Sequence, residues 1–226
     1  KSFSTRETKV NAEAAIEWLK LSGIDTPQAL AKHVVLATAK PEAYQEMGLP
    51  RDNQFDFWPW VGGRFSVWSA VGLPLVIALG PEVFDEFLAG AYEMDCHMLE
   101  AALSDNLPLT LALLSYWDMT QLSIRSHCLL PYDERLRELV PWLQQLEMES
   151  LGKSSGLDGC DIKGPTGQAV WGGNGNESQH SFYQWLRAGS VRSSMDLVWC
   201  AKSGHSHAHH HDVLTANARA QAEALI

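Results

Sequence analysis

HVVLATAKPEAYQEMGLPRDNQFDFWPW, the stretch from His33 to Trp60, decides the fold of this chain. His33 to Ala39 is a short apolar run that reads as a strand. Pro41 to Met47 reads as a brief helix, and Phe55 to Trp60 as a second strand. The same alternation continues outward in both directions. Upstream, Lys1 to Thr8 reads as a loop entering a helix, with Ser4 or Thr5 as the cap and Glu7 suited to the first turn. Asn11 to Leu21 continues it at helical spacing. Downstream, a Gly62-Gly63-Arg64 turn precedes an apolar helix from about Ser66 to Leu79. Pro81 to Leu103 reads as a helix, and the strongly apolar Leu107 to Leu122 as a buried one. Cys128 to Leu130 is a strand. A long helix is expected from Pro131-Tyr132-Asp133 to about Glu149, ended by Gly152. After a Gly/Ser-rich loop come a strand at Ala169–Trp171, a helix at Gln179–Leu186, a strand at Leu197–Cys200 and a helix from Asp212, its cap, to Ile226. Strands alternating with helices predict an α/β fold with parallel sheets covered by helices. The helical block from about 66 to 122 divides two such regions.

The 226 residues suffice for one large domain or two small ones, and 46% hydrophobic against 19% charged residues is the balance of a globular protein with a core. A formal net charge of −10 argues against general nucleic-acid binding, which needs a basic face. It also requires that any anionic ligand be held by local donors. Cys96, Cys128, Cys160 and Cys200 lie far apart without a CxxC, which predicts reduced thiols and a cytoplasmic protein. No apolar run has membrane-spanning length, and no signal-peptide pattern is present. The chain begins at Lys1 without a methionine, so a fragment is expected.

Few residues offer chemistry. In DFWPWVGGRFSVWSAVG, Asp56 to Gly72, two glycines and packed aromatics surround Arg64. Such a setting either aims a fixed cation at an anion or holds a structural ion pair. Lys1, Ser2, Ser4 and Thr5 precede a helix, where backbone N–H groups and hydroxyls either bind phosphate or cap the helix. Glu149 ends a helix, where an unfavourable dipole tends to raise a carboxyl pKa and suits a base that must also return a proton. Surface solvation is the alternative. His180 is open to acid–base work or a structural hydrogen bond. The run His205-Ser206-His207-Ala208-His209-His210-His211 invites a metal, but no completing pattern accompanies it, and an exposed loop is the expectation. Trp18, Trp68, Trp117 and Trp185 read as core, while Trp58 and Trp60 flank and stiffen the arginine turn.

At these residues the chain resembles the glucose-6-phosphate isomerase (phosphoglucose isomerase) family. VGGRFSVWSAVG resembles the signature around that family's active-site arginine, and KSFSTRET its phosphate loop. LPYDERL, QQLEMESLGK, TGQAVWGG, QHSFYQ and HHHDVLTANARAQAEALI resemble further family blocks in the same order. The resemblance implies three-layer αβα sugar-isomerase (SIS) subdomains with parallel sheets, incomplete in this chain. Residues 1–105 would carry the C-terminal part of the first subdomain with its following helices, and residues 106–226 most of the second. It implies interconversion of glucose 6-phosphate and fructose 6-phosphate in glycolysis and gluconeogenesis, with no metal or organic cofactor. Carried over by motif, Lys1, Ser2, Ser4 and Thr5 would hold the phosphate, and Gln145 would contact the sugar. Glu149 would shuttle the proton between C1 and C2, Arg64 would stabilise the enediol charge, and His180 would assist ring opening. In the family that histidine reaches the neighbouring subunit's site, which implies a homodimer.

The departures are specific. The family's glycine-rich serine loop, the serine expected before Lys1 and the C-terminal signature with its lysine are not in the chain. GNESQH stands where GTNGQH is usual, and Ser2 where threonine is common. The 226 residues alone are therefore expected to be nearly inactive. A catalytically silent sugar-phosphate-binding module, and a metal role for His205, His207 and His209, stay open beside the isomerase.

Overall fold

The computed structural model describes residues 5–225, which form two compact units dividing between Leu99 and Glu100. In the first unit, α1 (Arg6–Leu21) begins at Thr5, whose extended backbone places it as the cap although its side chain makes no capping bond. The short α2 (Pro27–Leu30) is capped by Thr26, whose hydroxyl accepts from Ala29 N at 3.1 Å. Two strands, β1 (Leu36–Thr38) and β2 (Gln54–Asp56), pair in parallel around α3 (Ala43–Glu46). Gln54 staples this crossover. Its buried amide accepts from Tyr44 N at 2.9 Å and donates to the carbonyls of Lys40 and Pro41 at 3.1 and 2.9 Å. Leu36, Ala43 and Leu49 make the small core beneath.

The strand expected at 55–60 stops at Asp56. Pro59 has no amide to give a ladder, and the flanking Trp58 and Trp60 rings stack on each other at 5.7 Å instead. The expected helix 66–79 is broken into two 3-10 turns, Gly63–Trp68 and Ala70–Gly72, and then α4 (Leu73–Leu79). The break is at Ser69, whose backbone is extended. Its hydroxyl donates to Ser66 O at 2.6 Å and so competes with helix bonding. Gly80, with φ of +90°, ends α4 and turns the chain into α5 (Pro81–Glu100).

The second unit opens with α6 (Leu107–Thr120), capped by Asn106, whose side chain accepts from Leu109 N at 3.1 Å. The helix forms as expected, but the expected burial does not follow. Met119 is its one buried residue, while Leu111, Leu113, Leu114, Tyr116 and Trp117 are all more than half exposed. Its apolar residues run all the way round, and Met119 alone is covered.

The same unit holds a three-stranded parallel sheet ordered β4-β3-β5, from β3 (Ser126–Pro131), β4 (Ala169–Gly172) and β5 (Ser194–Val198). The central β3 is buried from Cys128 to Pro131, as a strand covered on both faces must be. The long helix expected from Pro131 is also corrected. Pro131 completes β3 opposite Val198, and Tyr132 N bonds Val198 O at 2.7 Å. Asp133 then caps a 3-10 turn, Glu134–Leu136, and helix returns only at α7 (Leu139–Leu143). Pro141 explains the delay. In a first turn its missing N–H costs nothing, whereas inside a longer helix its ring would strike the preceding turn. From α7 the chain widens without a break into a π-helical stretch, Gln144–Glu149.

Two short helices follow β4, α8 (Gly175–Ser178) and α9 (Tyr183–Ala188), so the helix expected at 179–186 begins only at Tyr183, and Gln179 to Phe182 form a turn. The last helix, α10 (Ala208–Leu225), starts four residues before Asp212, which is therefore not its cap. Cys128, Leu130 and Tyr132 from the β3 region meet Tyr183 of α9 and Ala218 of α10 in the main core, closed by Trp171, Met195 and Leu197.

Candidate active site

Gln145 and Glu149 stand four apart on the π-helical stretch and so project on one side of it. Single widened turns of this kind are rare and recur at functional sites. Side chains on both flanks hold this one. Gln144 Nε2 donates to Val170 O at 2.9 Å, and Met148 Sδ accepts from Val170 N at 3.4 Å. Ser150 Oγ donates back to Leu146 O at 2.5 Å. Lys153 closes the end, its ammonium donating to the carbonyls of Glu149 and Ser150 at 2.6 and 2.7 Å. A cation on these last carbonyls offsets the negative end of the helix dipole beside the Glu149 backbone.

His180 lies in the turn between α8 and α9, exposed, and not at a helix start. The segment that carries it leaves the C-terminal end of β4, the end of a parallel sheet where ligands collect. Two glycines make the exit possible. Gly172 has φ of +140°, and a Cβ there would lie 2.0 Å from Leu129 O. A Cβ on Gly175 would lie 2.2 Å from the Tyr132 ring. An exposed ionic chain links the same exit to the segment after β3. Arg137 pairs with Glu134 at 2.5 Å and with Glu177 at 3.0 Å, and Asn174 Nδ2 donates to Glu134 Oε2 at 3.2 Å.

At the opposite end of β3, His127 sits between strands. Its Nε2 is 3.1 Å from Asp196 Oδ2, and its Nδ1 is 3.1 Å from Ser194 Oγ, both on β5. Burial pulls the imidazole pKa down. The hydrogen bond and charge of Asp196 outweigh it, with Glu147 and Asp118 assisting, and leave the pKa raised. All four cysteines are free thiols, and burial pushes Cys128 up to about 12, so it is packing and not chemistry.

Arg64 belongs to the first unit, half-buried in the 3-10 turn Gly63–Trp68. Phe65 N bonds Gly62 O at 3.1 Å and Ser66 Oγ bonds Gly63 O at 2.7 Å, which set the turn. The glycine pair is not demanded by the backbone. Gly62 has an ordinary φ of −69°, and a Cβ on Gly63 would meet nothing within 4 Å. An open apolar cleft of about 380 Å³ adjoins the turn, lined by Trp58, Trp60, Val61, Gly62, Phe65, Trp68 and Ser69. Thr5 is the exposed cap of α1; Lys1, Ser2 and Ser4 lie outside the described residues.

The structure therefore brings Gln145 and Glu149 together on one stretch, with His180 in the same unit, and sets Arg64 and Thr5 in the other. Gln144, Met148, Lys153 and Val170 went unread in the sequence. The repeat of Gln144/Gln145 four residues later as Met148/Glu149 was the available signal. His209 to His211 form the first turn of α10 and not a loop, and the rings of His207 and His210 lie 5.4 Å apart. Among the described residues no three His, Cys, Asp or Glu side chains are placed to hold a metal ion, and no helix is long and apolar enough to cross a membrane.

The phosphoglucose isomerase family model matches residues 1–226. Glucose-6-phosphate isomerase of Bordetella petrii is 46% identical over the whole chain, and that of Brucella ovis 44%. The chain spans only 43% and 41% of their lengths. A crystal structure of a glucose-6-phosphate isomerase from Chlamydia trachomatis superposes with a TM-score of 0.83 at 33% identity, over 98% of this chain and 43% of that one. A hypothetical protein from Thermus thermophilus gives 0.77 at 29%, over 100% of this chain and 55% of that one. These parallel α/β units, carrying the Arg64 turn and the Gln145–Glu149 stretch, belong to the phosphoglucose isomerase family.

Proposed function

We propose that this chain carries much of the catalytic machinery of an aldose–ketose isomerase interconverting glucose 6-phosphate and fructose 6-phosphate. Family membership across residues 1–226 carries the reading. The held pair Gln145–Glu149 supports it, because an isomerase needs one base that takes and returns the same proton from a fixed position.

In this reading Glu149 removes the proton from C2 of the open-chain aldose while a proton reaches O1, giving the enediol. Glu149 returns its proton to C1 as the O2 proton leaves, giving the ketose. Arg64 faces the developing oxyanion, Gln145 orients the sugar hydroxyls, and His180 assists ring opening by proton transfer to the ring oxygen. Lys1, Ser2, Ser4 and Thr5 grip the phosphate, whose binding energy orients the reacting carbons. Residues 1–105 and 106–226 would be parts of two SIS subdomains. The whole protein would be a cytoplasmic homodimer acting in glycolysis and gluconeogenesis, with His180 given to the partner site. No metal or organic cofactor takes part.

The test joins this chain to the flanking segments of the Bordetella petrii relative and follows fructose 6-phosphate turnover in a coupled assay. Activity is expected, with a loss of about 10²–10⁴ in kcat for Glu149→Gln. A folded parent that binds the sugar phosphate without turnover would instead establish a silent binding module.

A further inference from the structure

We propose that Gln144 is a positioning residue for Glu149, acting with Met148 on the edge of β4. The argument rests on the isomerase reading for its consequence, but its geometry is independent. Within the described sheet β4 pairs only with β3. Ala169 N bonds Arg125 O and Gly173 N bonds Leu129 O, so alternate residues of β4 face β3. Val170, between them, turns its N–H and C=O away from β3, toward the edge. An edge leaves such a pair without a ladder partner. Here the Gln144 amide takes the carbonyl at 2.9 Å and the Met148 thioether takes the N–H at 3.4 Å.

The two anchors are four apart, and each is followed directly by a proposed site residue, Gln145 after Gln144 and Glu149 after Met148. One neighbouring face therefore holds the strand and the next holds the site. A one-residue change of register would turn the stretch by about 100° and exchange the two faces. The π-widened turn makes that risk concrete, since Gln144–Glu149 could otherwise relax to ordinary helical bonding and swing Glu149 away. The anchors on Val170 select the widened register. Gln144 does this without touching substrate.

The experiment uses the full-length chimera with Gln144→Met, which keeps length and removes the donor, and Met148→Leu, which removes the acceptor. Expected is a 10- to 100-fold fall in kcat with KM within about twofold, and at least tenfold faster amide exchange over residues 144–150. Folded Gln144→Met protein with parental kcat, or with its loss confined to KM, would overturn the positioning role. Unchanged amide exchange would overturn the anchor itself. An inactive parent chimera would overturn the isomerase reading, and the exchange measurement would then decide the anchor alone.

Discussion

Arg64 and His127 are the two charged side chains whose surroundings define an expectation most sharply. Arg64 is half-buried on a turn set by Phe65 N–Gly62 O and Ser66 Oγ–Gly63 O bonds. A cation fixed before the charge develops spends no reorganisation when it does. Arg64→Ala in the full-length chimera is expected to lower kcat by about 10²–10³, with KM changed much less, in steady-state assays. Gly63→Ala complements it. The added Cβ meets nothing within 4 Å, so stability should stay within about 0.5 kcal/mol. A fall in kcat/KM for that variant would place substrate against the turn. His127 is a matter of stability. Its pKa is raised in the fold above the ordinary 6.5, by Asp196 against the pull of burial. The folded state then holds a proton that the unfolded state releases first. The added stability is complete below about pH 6.5 and is lost as pH rises through the raised value. Asp196→Asn should remove that dependence, so parent and variant melting temperatures should converge above it. The effect is expected to be about 1 kcal/mol or less, because the Asp196 side chain is 46% exposed.

Between elements, α8 fits tightly against the end of β3. Gly175 lies so near the Tyr132 ring that a Cβ would stand 2.2 Å away, and Tyr132 is buried with its hydroxyl bonded to Tyr183 at 2.6 Å. Neither ring has room to retreat. Gly175→Ala is expected to cost about 1–3 kcal/mol, read as a lowered denaturation midpoint. Because the same segment carries His180, activity per folded molecule should fall as well. The ionic chain Glu134–Arg137–Glu177 lies at this junction but is exposed, so its loss should be nearly silent.

Across the whole chain, large apolar side chains stand exposed to water. Trp58 and Trp60 are 62% and 77% exposed, and one side of α6 shows Leu107, Leu111 and Leu114. Large exposed apolar side chains of this kind mark sites of association. The 226-residue chain alone is therefore expected to self-associate at micromolar concentration and to show no isomerase turnover, measured by light scattering and the coupled assay. The full-length chimera should give one discrete species. A monodisperse, active 226-residue chain would contradict both the association expected of the exposed surface and the role proposed for the relative's flanking segments.

Sequence alone determined the alternation of short strands and helices, because Val-rich runs, glycines and prolines act locally on the backbone. It also determined the family, since Arg64, Gln145, Glu149 and His180 sit in ordered motifs. Local rules misplaced helix starts where a strand claimed the residues first. Pro131 reads as a helix opener, yet its carbonyl-side neighbour Tyr132 bonds Val198, a partner 66 residues away that no local pattern reveals. The π-widened register at Gln144–Glu149 was likewise decided in three dimensions. Nothing in QQLEMES requires a wide turn. Only β4, brought alongside with the Val170 backbone turned toward the sheet edge, supplies the two groups that the anchors bond.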